Sequence, residues 1–242
     1  MMNVMTEEQK LSILDSAKAY FREAIIPGHI KKVKKLKLKD FKINPFTINY
    51  TAAFLCGNTK PESIAKALIY PQILGTSIST TFGKKAQLFI AKVSEISGQG
   101  SGIKGVDIEF WDAIDGRKKY CQCKAGPKTI NADDVATIKG HFRELTNKAL
   151  MDGLPLQLND LVVGVLYGTP KDLSSNYKKL AEDYPVYCGS DFWKRLTGDD
   201  EFYYRLAKAF GEVVEEDKIN GSKLIKQAII RIAKEIEEKG II

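Results

Sequence analysis

The chain reads as an α/β fold, a central mixed β-sheet flanked by helices, and three observations carry that reading. Two segments alternate apolar and polar residues with the period of a half-buried strand: Val106-Asp107-Ile108-Glu109-Phe110-Trp111 and Lys119-Tyr120-Cys121-Gln122-Cys123-Lys124. A third, Leu161 to Tyr167, is apolar throughout and ends at Gly168, as expected of a strand covered on both faces. Around them apolar residues recur at helical spacing. At 242 residues, 44% of them hydrophobic, the chain can bury a sizeable core. It reads as a single domain over 1–242, with a core at about 75–170, a helical N-terminal part at 1–74 and a helical C-terminal part at 171–242.

Each element has its own signal. Thr6-Glu7-Glu8-Gln9 fits a capping box, and Leu11, Leu14, Ala17, Tyr20, Phe21 and Ile25 follow at helical spacing until Pro27-Gly28, where the helix is expected to stop. Lysines then crowd at 31, 32, 34, 35, 37, 39 and 42, between Val33, Leu36, Leu38 and Phe41. Two readings of that tract stay open: an edge strand or extended arm whose lysines oppose aggregation, or an arm that contacts phosphate. Asn44-Pro45-Phe46 turns into a helix over 48–55, and Pro61 opens another through Ile69, at a position where its missing N–H is harmless. A polar tract, Thr76 to Thr81, leads into a helix over 82–96. Glycines at 98, 100, 102 and 105 mark a mobile loop without a phosphate-cradling Walker pattern.

The two alternating segments form an antiparallel hairpin across a tight turn at Asp115-Gly116. Asn131-Ala132-Asp133-Asp134 opens a helix toward Leu145 with an acidic first turn that suits the helix dipole. Helices from Ser190, from Asp199 and from Ser222 to Lys239 complete the chain, the last repeating Ile225, Ile229, Ile232 and Ile236.

Composition excludes several classes. Lys and Arg total 37 against 30 acids, a net charge of +7 that favours a polyanionic partner. The four cysteines, Cys56, Cys121, Cys123 and Cys188, hold no C-x-x-C pair, and His29 and His141 lie far from them, which speaks against zinc. They read as reduced core thiols of a cytoplasmic protein. No signal-peptide pattern and no apolar run of about 18 residues occurs, so neither export by that route nor a membrane span is expected.

Asp107, Gln122 and Lys124 carry the chemistry. Hydrolysis of a phosphodiester needs a cation against the charge on phosphorus, a positioned water and help for the leaving oxygen. Mg²⁺ takes one or two carboxylates and fills its octahedron with carbonyls, waters and phosphate oxygens. Asp107, the Gln122 amide oxygen and the Cys123 backbone carbonyl make such a set, with Glu109, two residues from Asp107 on the same face, as a further carboxylate. Alternation places Gln122 and Lys124 on one face, where Lys124 can orient the attacking water or take its proton. The alternative is an Asp107–Lys124 ion pair with Gln122 as a surface amide. Lys128 and Asn131, just past this strand, are DNA-contact candidates, as are Ser77 and Thr80, although a polar tract before a helix more often caps it. Trp193 and Phe192 read as core, and His141 as a structural hydrogen-bond partner.

The pattern Asp107, then Gln122-x-Lys124 on the next strand, resembles the PD-(D/E)XK nuclease superfamily, with Gln where Glu or Asp is more common. Lys42 to Phe46, Tyr50 to Leu55, Gly75 to Gly83, Lys124 to Asn131, Asp191-Phe192-Trp193 and Gly198-Asp199 together resemble type II restriction endonucleases of the PmeII and TdeIII kind, over about residues 40 to 210. The resemblance implies a restriction-endonuclease-like core and an active-site triad of Asp107, Gln122 and Lys124. It also implies a Mg²⁺-dependent homodimer that cuts double-stranded DNA at a short palindrome, of GGNCC or GGWCC type in several relatives, with a cognate DNA methyltransferase as genomic neighbour. The preceding helix often brings a further acid in this superfamily, and here Gln87 takes the expected inward position. The rivals are a structure-directed repair or junction nuclease and a catalytically silent DNA-binding protein.

Overall fold

The computed structural model describes residues 5–97 and 100–240. They form an α/β structure with a four-stranded mixed sheet in the order β1-β2-β3-β4, flanked by helices and consistent with a restriction-endonuclease-like core. β1 (Ile108–Trp111) runs antiparallel to β2 (Lys118–Lys124), while β3 (Leu161–Val165) and β4 (Val186–Cys188) run parallel to β2. The β2-to-β3 crossover is made by the long helix α6 (Ala132–Met151), as a parallel connection requires.

The chain divides into two compact units, a sheet unit from Met1–Tyr20 and Lys85–Val213 and a helical unit from Phe21–Lys84 and Val214–Ile242. The division cuts across the N-terminal and C-terminal helical parts read from the sequence. The sheet unit holds α1 (Glu7–Tyr20), α6, α7 (Ser175–Ala181), α8 (Ser190–Thr197) and nearly all of α9 (Phe202–Glu216). Helices α2 (Ile26–Lys35), α3 (Pro45–Cys56), α4 (Pro61–Tyr70) and α10 (Gly221–Lys239) belong to the helical unit, and α5 (Ile78–Ser97) crosses the boundary.

Side-chain alternation explains how the sheet is covered. Leu161, Val163, Val165 and Cys188 point to one face and pack with Ile138 and Phe142 of α6 and Tyr177 and Leu180 of α7. On the other face Phe110 meets Phe192 edge to face at 6.4 Å, and Trp193 and Phe89 continue the aromatic layer. Gly164 is required here, since a Cβ would run into the Phe192 ring and the Cys121 sulfur. In the helical unit Val33, Leu36, Ile64, Ile69, Ile229 and Ile232 form a separate apolar core.

Several sequence expectations need correcting. Pro27-Gly28 does not stop the first helix: a π-helical stretch, Phe21–Ile25, re-sets the hydrogen-bond ladder, and Pro27 falls in the first turn of α2. The lysine tract is therefore helix α2 and a short 3-10 turn at Leu38–Asp40, neither strand nor extended arm. α5 begins at Ile78, after a second π-helical stretch at Pro71–Ser77, so the Ser/Thr tract lies inside helix. There Ser79 Oγ donates to the Gly75 carbonyl and Thr81 Oγ1 to that of Ser77, the back-bonding that lets hydroxyls sit in helices.

The hairpin loop is wider than a tight turn. Asp112 N–H donates to the Arg117 carbonyl, Gly116 N–H to that of Asp112, and Asp112 Oδ1 accepts from Ile114 N–H, with Gly116 at φ +69°. Strand β4 and helix α7 carried no recognised sequence signal, being three and seven residues long. Gly98 lies outside the described residues, and Gly100 pairs with Ile108 as an isolated bridge. Cys121, Cys123 and Cys188 are buried free thiols as expected, but Cys56 at the end of α3 is only partly buried. No helix among the described residues is long and apolar enough to cross a membrane.

Candidate active site

The β1–β2 ladder and the crossover to α6 bring the predicted residues together. Ile108 pairs with Cys121, and one step further Asp107 N–H donates to the Cys121 carbonyl at 2.8 Å, so Asp107 stands across from Gln122 just before β1 begins. Its Oδ2 accepts the Cys123 N–H at 2.6 Å, and Ser94 Oγ of α5 donates to its backbone carbonyl at 3.3 Å. Burial pushes the Asp107 carboxyl above the ordinary carboxylate value, against the pull of the Cys123 N–H and the Lys124 charge. A half-buried acid in that state favours a nearby cation.

Gln122 supplies the second mark. Its Oε1 is buried and has no hydrogen-bond partner. Buried amide oxygens are almost always satisfied, so an orphan beside a carboxylate calls for a donor or a cation. Asp107 and Gln122 therefore fit the oxygen ligands of a hard divalent ion.

Lys124, at the end of β2, is mostly buried, with its Nζ 3.5 Å from Asp134 Oδ1 on α6. Asp134 is held in turn by a capping box: its Oδ2 accepts the Asn131 N–H at 2.9 Å, and Asn131 Oδ1 accepts the Asp134 N–H at 2.9 Å. The alternative reading, a direct Asp107–Lys124 ion pair, is not what forms.

The other candidates fall in varied places. Glu109 shares the Asp107 face, but its carboxylate is occupied by Ser101 Oγ at 2.6 Å and Lys118 Nζ at 2.7 Å. Cys123 turns its N–H to Asp107 while its side chain is buried, 3.8 Å from the sulfur of Cys121. That thiol contact and burial push the Cys123 thiol well up, so it stays protonated. Lys128 is exposed on a loop pinned from below: Tyr177 OH and Thr129 Oγ1 both donate to the Gly126 carbonyl, and Ser174 N–H donates to that of Pro127. Asn131 serves α6 as its N-cap.

Ser77 and Thr80 belong to the helical unit, where Thr80 is exposed but Ser77 is buried at 1% and offers DNA no surface. Gln87 is exposed rather than turned inward; Ala86, Phe89, Ile90 and Val93 take the inward positions, and α5 meets the site through Ser94. His141 packs against Gly105 with its Nδ1 buried and unpartnered, so it is not the hydrogen-bond partner expected.

Ser94 and Asp134 were missed. Ser94 has no sequence signal, but Asp134 stands at the third position of a capping box one loop after Lys124, a place from which it can face the end of β2. At the opposite end of β2 from Lys124, Lys119 is completely buried, 2.6 Å from Asp115 and 3.5 Å from Asp160, and Asp160 also pairs with Arg117. A cavity of about 770 Å³ is lined by Trp111, Lys118, Tyr120 and His141 among others, but by none of the triad. The triad thus lies outside that cavity.

A family model described as type II restriction endonuclease EcoO109I matches residues 17–218, a span that includes the whole sheet and Asp107, Gln122 and Lys124 but ends before α10. No curated protein matches the chain. With the matched span covering most of its length, the chain belongs to the EcoO109I family of type II restriction endonucleases, site-specific deoxyribonucleases.

Proposed function

We propose that this restriction endonuclease is Mg²⁺-dependent and hydrolyses both strands of duplex DNA at a short palindrome, leaving 5′-phosphate and 3′-hydroxyl ends, with Asp107, Gln122 and Lys124 as its active-site residues. The observation that carries the reading is the unpartnered Gln122 Oε1 beside the half-buried Asp107 carboxylate. These two oxygens would hold the ion, with the Cys123 carbonyl in support and Glu109 acting through water while Lys118 and Ser101 occupy it. When bound, Mg²⁺ neutralises charge developing on the phosphorus and its leaving oxygen.

The chain's own groups do the positioning. The Cys123 N–H and Ser94 hold Asp107 from both sides. Asp134 keeps the Lys124 ammonium at the end of β2, where it orients the attacking water; as the neutral amine the same group would accept the water's proton. Lys128 and Asn131 on the pinned loop, and Thr80 on the helical unit, are assigned to DNA contact. A GGNCC- or GGWCC-type site and a cognate methyltransferase encoded nearby belong to this reading.

A homodimer belongs to it too, because a palindrome presents two equivalent half-sites. Support comes from α3, whose Ile48 and Ala52 face the core while Phe46, Tyr50 and Phe54 are 91%, 70% and 81% exposed. At about 150–250 Å² per aromatic side chain, two such stripes face to face bury roughly 1,000 Å², the lower bound of a stable interface. Phe46→Ser with Phe54→Ser is expected to yield monomers in sedimentation velocity; an unchanged dimer would remove α3 from the interface.

The test of the chemistry is a digest of phage and plasmid DNA with Mg²⁺, with EDTA, and with Lys124→Ala. Discrete bands that need both Mg²⁺ and Lys124 are expected. Smearing would indicate a structure-directed or non-specific nuclease, and intact DNA in every lane a silent DNA-binding protein.

A further inference from the structure

The net charge of +7 is not shared between the units. The helical unit carries 17 Lys and Arg against 9 Asp and Glu, and the sheet unit 20 against 21. The excess gathers on one element. In α2, at 3.6 residues per turn, Lys31 and Lys35 lie opposite the buried Val33, with Lys32 and Lys34 to either side, and all four are exposed. Lys37, Lys39 and Lys42 extend the surface beyond the helix and are exposed as well.

None of these seven lysines is in an ion pair among the described residues, whereas sheet-unit cations such as Lys118, Lys119, Arg117 and Arg195 each face an acid. Helix-end stabilisation accounts for at most Lys32, Lys34 and Lys35, which lie in the last turn of α2. The carbonyls of Val33 and Leu36 are already satisfied by the Arg231 guanidinium of α10, at 3.0 and 3.2 Å, and Lys37, Lys39 and Lys42 lie past the helix. Nor is it a general solubilising surface, because like charges three and four apart on a helix repel and α2 itself carries no acid to relieve them, the one acid of the tract being Asp40 past the helix, whose carboxylate accepts the Lys37 N–H. α2 is also anchored: Glu235 of α10 accepts the Leu38 N–H, and Val33, Leu36 and Leu38 are buried in the helical core. The lysines therefore stand on a firm support and face solvent.

We propose that this lysine face holds the phosphate backbone of duplex DNA outside the cleaved bond, so that the helical unit supplies sequence-independent affinity and the sheet unit the chemistry. The inference rests on DNA being the substrate, and the partner follows from charge complementarity: a dense row of unpaired ammonium groups matches a polyphosphate. Each phosphate neutralised releases counterions, and binding through such contacts weakens steeply with salt.

The test measures affinity for a labelled duplex lacking any cleavable site, in EDTA, across a salt series, for the wild type and for Lys31/Lys32/Lys34/Lys35→Gln. Each lost phosphate contact should lower the slope of log affinity against log salt by about 0.9, up to roughly 3–4 for the four together. The single-turnover cleavage rate at saturating DNA should stay within about twofold of wild type, since chemistry and non-specific affinity are separable. Lys37/Lys39/Lys42→Gln provides a second variant whose fold does not depend on α2, and it should lower the slope in the same direction. An unchanged slope in both variants would overturn the proposal, as would displacement of DNA from the wild type by polyglutamate at equal charge, which would make the surface a site for acidic protein. Wild type that binds DNA with the expected slope but cuts nothing in Mg²⁺ would defeat the nuclease reading while leaving this surface assigned.

Discussion

The two units use charge in opposite ways. In the helical unit charged groups stay outside an apolar core, and its lysines on α2 face solvent without partners. In the sheet unit charge goes inward: Lys10, Asp112, Lys119 and Asp160, the buried charged residues among those described, all belong to it. Arg195 reaches Asp112 in the hairpin loop at 2.8 Å, and Lys119 and Arg117 meet Asp160 just before β3, so the β1–β2 hairpin is pinned at two points by ion pairs. Buried pairs add little net stability over apolar packing, but losing one partner strands the other. What they supply is register, and register is what holds Asp107 across from Gln122.

That contrast can be broken in graded steps. The largest effect is expected in the sheet unit's chemistry: Lys124→Ala should lower the single-turnover cleavage rate by about 10²–10⁴-fold while leaving non-specific DNA affinity near wild type. A parallel loss of affinity would mean that Lys124 serves binding instead. Next, Asp160→Ala should destabilise the sheet unit by about 3–5 kcal/mol in urea denaturation, because it leaves Lys119 buried with Asp115 as its remaining acid. A change below about 1 kcal/mol would show that water or Asp115 compensates.

Smaller in its effect on stability, and opposite in sign there, is Gln122→Leu. Removing a buried unsatisfied oxygen should raise thermal stability by about 1 kcal/mol while abolishing Mg²⁺-dependent cleavage. Loss of stability would show that the amide is satisfied in solution, and retained cleavage would free Gln122 of its assigned role.

The smallest effect is a pH dependence. Burial by itself raises the Asp160 carboxyl, but the Arg117 hydrogen bonds, the Gln157 N–H and the charges of Arg117 and Lys119 hold it below the ordinary carboxylate value. A depressed folded-state value means that its stabilisation is present above the unfolded carboxylate range and is lost as pH falls through the folded value. Wild type should therefore lose stability below about pH 4 more steeply than Asp160→Asn. Parallel curves would show that this carboxylate does not contribute to the acid limb.

Much of the candidate site was readable one residue at a time. Asp107, Gln122 and Lys124 stand out because strand alternation is local and the hairpin partner lies close in sequence. Asp134 was seen only as a first-turn acid, and its place against Lys124 depends on how α6 leaves the β2 end. Gln87 was misplaced by about one helical position: the face of α5 that turns inward is set by packing against the sheet and the aromatic layer, which periodicity bounds only to within a residue or so. The lysine tract was misread because Pro27-Gly28 is a strong stop signal, and the π-helical stretch that overrides it is written in no local pattern.

The sequence by itself determined the alternation of β1 and β2, the apolar β3, the amphipathic long helices and the chain's excess of positive charge, since each follows from the order of residues along one segment. Only the tertiary structure decided which unit carries that charge, that Lys119 and Asp160 are buried together, and that the Gln122 oxygen is left without a donor. Those are properties of segments far apart in the chain meeting in space, where burial and the identity of the neighbour, rather than the residue type, set the energy of every charge and hydrogen bond.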